Sequence, residues 1–447
     1  MFKILKNAWT IPELRKKLLY TFLIILIFRV GSAVPVPFLD IEVLKSTLDT
    51  LTQNDPGTLV SYLSTLSGGA FENATLFAMS VTPYINSSII MQLLTVAIPA
   101  FERLSKEGEE GRKKLAQYTR YATVILGLIQ GFAYFMFLKN SDGVLQEFPN
   151  TFTLVFVGIL ITLIFTAGSA LMMWLGEQIN QKGIGNGISM LLFAGIISRG
   201  PQVFTSLYAM IYNGINYGQT KYLFFVPLIM IVFLAVIGFI VFMNNAERRI
   251  PIQYAKRVVG RKMYGGQSTH IPIKVNMSGV MPIIFASSIL SIPGTIKLFV
   301  YGSNVTEETK KAFWYKVLNI FSTEEHAWVY CIVYFILIIL FAYFYVTIQY
   351  NPTEMANNLR KNSGTIPGIR PGKATADFIG KIISRITLIG ALFLSVIAIL
   401  PIVLGAALNV PIGMSGTSIL IMVGVALETV QQIESQMLMR HYKGFLE

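Results

Sequence analysis

The chain is a succession of long apolar runs separated by short polar segments. A helix needs about 20 apolar residues to cross the hydrocarbon core of a bilayer, and ten runs approach or exceed this length. We therefore predict ten transmembrane helices, at residues 18–36, 75–98, 118–138, 152–176, 184–212, 222–243, 276–300, 328–350, 378–402 and 412–438. The pattern predicts the fold class of an all-α polytopic membrane protein.

The composition agrees with this fold class. Of the 447 residues, 53% are hydrophobic and only 13% are charged, and the mean hydropathy is +0.60. A soluble chain of this size would carry roughly a quarter charged residues. The first apolar run is too long for a typical cleaved signal peptide and lacks a small-x-small exit site, so we expect it to be retained.

The polar residues form no pattern that is typical of catalysis or cofactor binding. Cys331 is the one cysteine, which excludes an internal disulfide and a thiolate metal cluster, and the three histidines stand far apart. Gly183, Gly185 and Gly187 alternate as in a phosphate-binding turn, but no strand precedes them and no Gly-Lys-Ser/Thr follows. We interpret them as a tight turn that starts the fifth helix, and we expect no enzymatic activity, no metal and no cofactor.

Lysine and arginine are unequally divided between the two sets of loops. Of the 36, 25 lie in the N-terminal segment, in the loops after even-numbered spans and in the C-terminal tail, whereas 8 lie in the opposite loops. Because cytoplasmic loops carry the excess, both termini are predicted to face the cytoplasm. An even number of spans with both ends inside permits two inverted five-helix halves, which we place at residues 1–218 and 219–447.

The second and seventh spans are similar in sequence, as corresponding helices of two inverted halves would be. Each has a proline, an isoleucine two residues later, and a Ser-Ser pair shortly after. The matching residues are Pro83, Ile85, Ser87 and Ser88 in one span and Pro282, Ile284, Ser287 and Ser288 in the other. Chance likeness is common among apolar sequences, so this match by itself leaves repeat and coincidence equally open.

The second span also carries polar residues that a plain membrane anchor does not need. The small residues Ser67–Ala70 precede it, and Asn86, Ser87 and Gln92 lie within it. Polar groups in hydrocarbon must find partners, and they are tolerated where a helix faces a bundle interior or a water-filled cavity. The pattern favours a transport path, with a packing helix that has small residues at its contacts as the alternative.

Two basic loops, at residues 244–275 and 351–373, stand out on the predicted cytoplasmic side. The first alternates apolar residues among its charges, and the second holds Arg370 between proline and glycine residues. Charge alone favours topology determinants that also attract anionic lipid. The alternative is a docking surface for a large anionic partner, either RNA or an acidic protein.

A secondary transporter of a small solute is the main alternative function. Such a protein would need ionisable residues near the membrane midplane to couple an ion or proton. The candidates are Arg29, Glu177 and Glu428, and the sequence identifies a partner for none of them. Arg29 is better interpreted as a structural residue that snorkels or pairs within the bundle. The sequence shows no catalytic constellation, which argues against a membrane enzyme.

Short motifs along the chain resemble those of the SecY family, the pore subunit of the general protein-translocation channel. They are SGGA at 67–70, KEGEEGR at 106–112, QYTRY at 117–121, MWLGEQI at 173–179, GIGNGIS at 183–189, QSTH at 267–270, VNM at 275–277, NP at 351–352, PGIRPG at 367–372 and GTS at 416–418. These motifs cover nearly the whole chain in family order, and the bacterial branch fits best.

The resemblance implies ten helices in two inverted halves around a central hourglass pore with a ring of aliphatic residues at its waist. By motif, the pore ring consists of Val81, Ile85, Ile188, Leu192, Ile284 and Ile421. It further implies that residues 59–73 form a plug that closes the outer funnel. The plug residues singled out are Leu66, Ser67, Gly68, Gly69 and Ala70.

The resemblance also implies a lateral gate between the second and seventh spans, through which signal sequences and nascent spans reach lipid. Its residues would be Asn86, Ser87, Gln92, Ser287 and Ile292, and the docking residues for a motor or ribosome would be Lys256, Arg261, Lys262 and Arg370. The implied partners are the small membrane subunits SecE and SecG, the SecA motor ATPase, the ribosome, signal sequences, nascent polypeptides and membrane lipid. The implied location is a bacterial plasma membrane.

Overall fold

A computed structural model of the 447-residue chain gives the architecture. It describes residues 2–54, 59–141, 143–146, 150–216, 221–254, 257–259, 262–264, 268–301, 313–320, 323–408 and 416–443. The helices are α1 (Phe2–Thr10), α2 (Pro12–Gly31), α3 (Ile41–Asn54), α4 (Leu59–Ser67), α5 (Thr82–Ala97), α6 (Pro99–Lys106), α7 (Glu109–Asn140), α8 (Thr151–Lys182), α9 (Gly187–Ser198), α10 (Gly200–Asn216), α11 (Lys221–Asn245), α12 (Met281–Tyr301), α13 (Phe313–Ile320), α14 (Thr323–Gln349), α15 (Pro352–Lys361), α16 (Lys373–Leu408) and α17 (Gly416–Lys443). The strands are β1 (Glu247–Tyr254), β2 (Arg257–Val259), β3 (Lys262–Tyr264), β4 (Ser268–Lys274) and β5 (Gly364–Thr365).

Each of the ten predicted spans overlaps a helix, and the predicted helical membrane fold is confirmed. Within the described residues, six helical stretches are by themselves long and apolar enough to cross a bilayer, and the bent pair α5–α6 would be a seventh. The other three predicted spans correspond to α2, α12 and α17, which are shorter or carry more polar residues. Helices α7, α8 and α16 extend past the predicted spans because their polar ends continue the same helix beyond the apolar run.

The second span begins later than predicted and is not interrupted by its proline. Residues 68–81 form a series of turns, and the helix α5 begins at Thr82. Pro83 is therefore the second residue of the helix, where its missing N–H costs no hydrogen bond. At the other end the chain turns by 100° between α5 and α6, at the bond before Pro99.

The helices enclose a large apolar core that we call the central cluster. It takes buried side chains from α2, α4, α5, α8, α9, α11, α12, α14, α16 and α17. A second cluster lies beside it, where residues 71–79 pack among α3, α7 and α8. Because side chains from both predicted halves meet in the central cluster, this is the region in which a path between the halves would lie.

The two basic loops are folded together by a small antiparallel sheet that the sequence analysis did not predict. The strand order is β4-β1-β5, so β1 and β4 from the 244–275 loop pair with β5 from the 351–373 loop. Ile250 and Ile252 of β1 point into an apolar cluster beneath the sheet, which accounts for the alternating apolar residues of this loop. Both loops therefore present one structured surface.

Candidate functional site

The six predicted ring residues are all buried in the structure. They lie on α9, α12 and α17 and at the start of α5, and all belong to the central cluster. Their exposed fractions range from 1% for Val81 to 8% for Ile188. Six aliphatic side chains from four distant parts of the sequence are thus buried in one apolar cluster.

The turn before α9 places two of these side chains. Gly185 has φ +90°, and the side chain of Asn186 accepts a hydrogen bond from the backbone N–H of Ser189 to cap the new helix. At Gly187 an added Cβ would lie 1.9 Å from the carbonyl oxygen of Gly176, so only glycine allows α9 to start this close to α8. The prediction of a tight turn that starts the fifth helix is confirmed.

Two residues of the predicted plug share the central cluster with the ring residues. They are Leu66 and Ala70, and both are buried. Gly68 has φ +65° and approaches Gly195 of α9 so closely that an added Cβ would lie 2.9 Å from the Gly195 carbonyl oxygen. Since a larger residue fits at neither position, the glycines allow the backbone of this segment to pack directly on the fifth span.

Polar contacts hold the same segment from several sides, and sequence reasoning missed most of them. The hydroxyl of Tyr134 donates to the carbonyl of Phe71 at 2.8 Å. The guanidinium of Arg29 donates to the carbonyl of Gly68 at 3.2 Å, which confirms that Arg29 pairs within the bundle. Arg199 binds Glu72, 127 positions away in sequence. No local pattern could have identified partners at such separations.

The predicted gate helices α5 and α12 contact each other. Of the gate residues, Ser87 and Ser287 are buried, Asn86 is half-buried, and Ile292 is 46% exposed. The Ser87 hydroxyl has no hydrogen-bond partner among the described residues, and the Ser287 hydroxyl donates to the Ile284 carbonyl at 3.0 Å.

Gln92 has a hydrogen-bond partner in the other half of the chain. Its side-chain oxygen accepts a hydrogen bond of 2.8 Å from the Tyr345 hydroxyl, and its nitrogen donates to Ser88 at 3.3 Å. Tyr345 lies on α14, the eighth span, rather than on the seventh. The contact between the halves at this point therefore includes a third helix, which the sequence analysis did not anticipate.

The docking residues are only partly within the described part of the chain. Lys256 and Arg261 lie outside the described residues, and Lys262 lies in β3. Arg370 is exposed in the loop that follows β5, between Gly368 and Gly372, which have φ +79° and +108°. Glycine is needed at both positions because other residues rarely adopt these backbone angles.

The two other charged residues considered for a transporter have different surroundings. Glu177 accepts hydrogen bonds from Arg120 of α7 at 2.8 Å, so its charge is balanced. Glu428 lines an open cavity of about 430 Å³ between the start of α9 and the helix α17, together with Asn186 and Gln432. Neither residue is one of the six aliphatic ring positions, and no three His, Cys, Asp or Glu side chains within the described ranges are grouped to hold a metal ion.

Comparison with known proteins gives consistent matches. The sequence profile of the SecY family matches residues 75–430. The chain is 42% identical to the protein translocase subunit SecY of Thermotoga maritima over 448 residues, covering 100% of this chain and 98% of that protein. It is 43% identical to the subunit of the same name from Bacillus subtilis over 451 residues, covering 100% of both.

Solved structures share the fold at lower identity. A protein-conducting channel has a TM-score of 0.61 at 17% identity and covers 94% of this chain and 92% of that one. A second structure is of a SecY protein whose plug domain stabilises the closed state of the translocation channel and maintains a membrane seal. Its TM-score is 0.60 at 19% identity, with the same coverage. Sec61 in the canine ribosome-channel complex has a TM-score of 0.57 at 16% identity, again over 94% and 92%.

Proposed function

The chain belongs to the SecY family, and from this membership we propose how its central residues work in a protein translocase. The chain is the pore-forming subunit, which passes unfolded secretory proteins across the membrane and releases signal sequences and membrane-protein spans sideways into lipid. It is a multi-pass membrane protein. The residue roles, partners and orientation that follow are our proposals.

The observation that carries the proposal is the burial of all six aliphatic ring residues in the central cluster, which supports a single apolar constriction there. An apolar constriction offers no ligand to an ion and tends to dewet when empty. Methyl groups also yield around a passing polypeptide without hydrogen bonding to it. We propose that this ring is the seal of the channel and that it closes around the translocating chain.

Residues 59–73 are proposed to be the plug that supports this seal. The burial of Leu66 and Ala70 against the ring and the close contact of Gly68 with Gly195 support this role. A plug must also be able to leave, and a segment joined to α5 by the turns of residues 68–81 can move without unwinding a membrane helix.

We propose that α5 and α12 form the lateral gate between two inverted halves, residues 1–218 and 219–447. Both helices have a proline as their second residue and an isoleucine of the ring two residues later. The hydrogen bond from Tyr345 to Gln92 joins the two halves and would have to break when they part. The half-buried Asn86 would then become hydrated.

The partners are proposed from the basic cytoplasmic surface. The sheet β4-β1-β5 joins the 244–275 and 351–373 loops, which together hold 11 of the 36 lysine and arginine residues. Such a surface attracts ribosomal RNA and acidic protein surfaces. We propose that it docks the SecA motor and the ribosome, that SecE and SecG bind the membrane helices, and that the chain lies in a bacterial plasma membrane with both termini in the cytoplasm.

Reconstitution tests this function directly. The chain with SecE and SecG in vesicles should protect a secretory precursor from external protease when SecA and ATP are added, and should not do so without ATP. Uptake of small solutes with no protection of the precursor would instead indicate a transporter. A variant lacking residues 60–72 should leak ions at rest, and a tight seal in that variant would contradict the plug assignment.

A further inference from the structure

Arg199 contacts two separate parts of the plug, the helix α4 and the turn after it. It lies at the junction of α9 and α10, and one guanidinium nitrogen, Nη2, donates to Oε1 and Oε2 of Glu72 at 2.7 and 2.9 Å. A second nitrogen, Nη1, donates to the hydroxyl of Ser64 at 2.7 Å, and Nε donates to Gln202 of α10 at 3.1 Å. Ser64 in turn donates to Glu72. Arg199, Ser64 and Glu72, which we call the plug latch, close a ring of hydrogen bonds that joins the helix α4 to the turn after it.

The plug latch is partly withdrawn from solvent. The side chains of Arg199 and Glu72 are 20% and 22% exposed, and Ser64 is buried. Charge-assisted hydrogen bonds in such surroundings are stronger than those of a fully exposed ion pair. If one partner is removed, the other charge stays in a site that water reaches poorly, which is costly.

The position of Arg199 relates the plug latch to the seal. Arg199 follows the ring residue Leu192 by seven residues, which is roughly 10 Å along a helix axis. At the neighbouring position, the hydroxyl of Ser198 lies 3.4 Å from the carbonyl oxygen of Gly68, which also accepts from Arg29. Polar contacts with the fifth span therefore begin immediately beyond the apolar constriction.

All of these partners belong to residues 1–218. Arg29 lies on α2, Tyr134 on α7 and Arg199 at the end of α9, and each donates hydrogen bonds to the plug. Parting the two halves at the gate does not by itself break any of these contacts. Displacing the plug does break them, and both charges of the ion pair then become hydrated. The plug helix α4 also contacts α12 of the other half, so opening the gate loosens that contact, but the polar contacts must still break before the plug leaves.

We propose that Arg199 is a positioning residue that holds the plug closed through Glu72 and Ser64, and that breaking this ion pair controls plug release but not gate opening. The proposal rests on the proposed plug and gate. An apolar contact alone would hold the plug by shape, whereas an ion pair whose charges can be hydrated separately gives the contact a second stable state. The plug latch thereby sets the resting tightness of the channel.

Charge substitution and charge exchange test the plug latch. Arg199→Gln and Glu72→Gln, each in the complete complex in vesicles, should raise the resting ion leak about ten-fold, the effect of losing one charge-assisted contact. Both should also pass precursors with defective signal sequences more readily. The double variant Glu72→Arg with Arg199→Glu restores opposite charges and should return the leak towards the wild-type value, which a merely damaged fold would not do.

Two further variants keep the test decisive. Lys139→Gln removes an exposed cation at the end of α7 on the same side and should leave the leak unchanged. Arg199→Lys keeps the charge but cannot bridge Glu72 and Ser64 together, so its leak should be intermediate even if the glutamine variants fail to accumulate. Wild-type tightness in Arg199→Lys and in every glutamine variant that accumulates, or a charge exchange that rescues nothing, would overturn the proposal.

The plug and the plug latch fail in different ways. If the channel leaks when residues 60–72 are deleted but stays tight in the plug-latch variants, the plug assignment stands and the plug-latch proposal is wrong. If the channel stays tight after the deletion, the plug assignment itself is wrong. The separation of steps has its own readout, because Arg199→Gln should leave the oxidative crosslinking of cysteines placed across α5 and α12 in the idle channel unchanged. A marked loss of that crosslinking would contradict independent release.

Discussion

The side chains of the constriction end in methyl groups, so a water molecule among them finds no hydrogen-bond partner. Each of the six is also 8% exposed or less, and neighbouring apolar side chains of the central cluster surround them. A single polar atom at this point changes the number of partners available to water from none to one or two. The seal therefore depends on the chemistry of individual residues more than on the exact shape of the ring.

Replacement of Ile421 or Ile85 by asparagine should open the constriction to water. The amide can bind water in a ring that seals by being dry, and one net hydrogen bond corresponds to about a ten-fold rise in ion leak. Precursors with defective signals should also pass more readily. The leak of vesicles containing each variant measures this, with Ile421→Val and Ile85→Val as controls that retain only methyl groups. Tight, equally selective channels in both asparagine variants would mean that the ring lies elsewhere.

Residue-scale prediction succeeded where the information was local. The glycines of Gly183–Ser189 predicted the tight turn that starts α9, because glycine adopts backbone angles that other residues rarely adopt. It failed for Arg199 and Glu72, which are unremarkable singly and become a pair only after the plug folds back onto the fifth span. The sequence shows Arg199 as a charged residue near the end of an apolar run, but it does not indicate which residue binds it.

At the scale of elements, α5 and α12 form a seam between the two predicted halves. Contacts between them, and the bond from Tyr345 of α14 to Gln92, hold this seam together. Ile292 lies eight residues beyond Ile284, about 12 Å along the axis of α12. The family resemblance places Ile292 opposite Asn86, and a disulfide there requires Cα atoms within roughly 7 Å.

With Cys331 replaced by serine, Asn86→Cys and Ile292→Cys should form a disulfide under oxidant in the idle channel. Because the bond closes the seam, oxidation should block both secretion and membrane insertion, and reductant should restore both. Gel mobility gives the extent of crosslinking, and each single cysteine variant is the control. Quantitative crosslinking with transport at the normal rate would exclude a gate between these helices.

The sheet links the docking surface to this gate. Strand β4 ends at Lys274 and α12 begins at Met281, so a short connection joins the two. Lys274 donates to Gln431 of α17 at 2.7 Å, and Asn276 donates to Asn244 at the end of α11 at 2.8 Å, which fixes this connection to neighbouring spans. A partner that shifts the sheet would therefore act on the start of the gate helix.

Arg370→Glu and Arg261→Glu should reduce SecA-driven translocation by about ten-fold while leaving abundance and membrane insertion unchanged, since each reversal replaces an attraction for an anionic partner by a repulsion. The rate of precursor protection measures this. Lys316→Glu, an exposed reversal on α13 at the opposite face, is the control. Normal transport in both arginine variants at ordinary salt would return these loops to a role in binding anionic lipid.

For the whole molecule, the sequence predicted the number and order of spans because hydropathy and length are properties of contiguous residues. The small sheet was missed because β1 and β5 pair across long separations, as with Gln253 and Thr365 at 112 positions. The late start of α5 was missed because the turns at residues 68–81 are as apolar as the helix they precede. Apolar pattern predicts where the chain enters the membrane and not where it is helical.

The orientation of the whole molecule is the last prediction. The 25 lysines and arginines on one side against 8 on the other predict that the side with the sheet faces the cytoplasm. Reporters fused near Lys106, Lys256 and Lys361 should therefore give cytoplasmic activity, and a reporter near Val305 external activity. Each site is fused in turn to a reporter enzyme that is active only outside the cell and to one that is active only inside. The location of each site is therefore measured twice. External activity at Lys256 would show that the predicted orientation is wrong. It would place the basic sheet outside the cell, where neither a motor nor a ribosome could reach it.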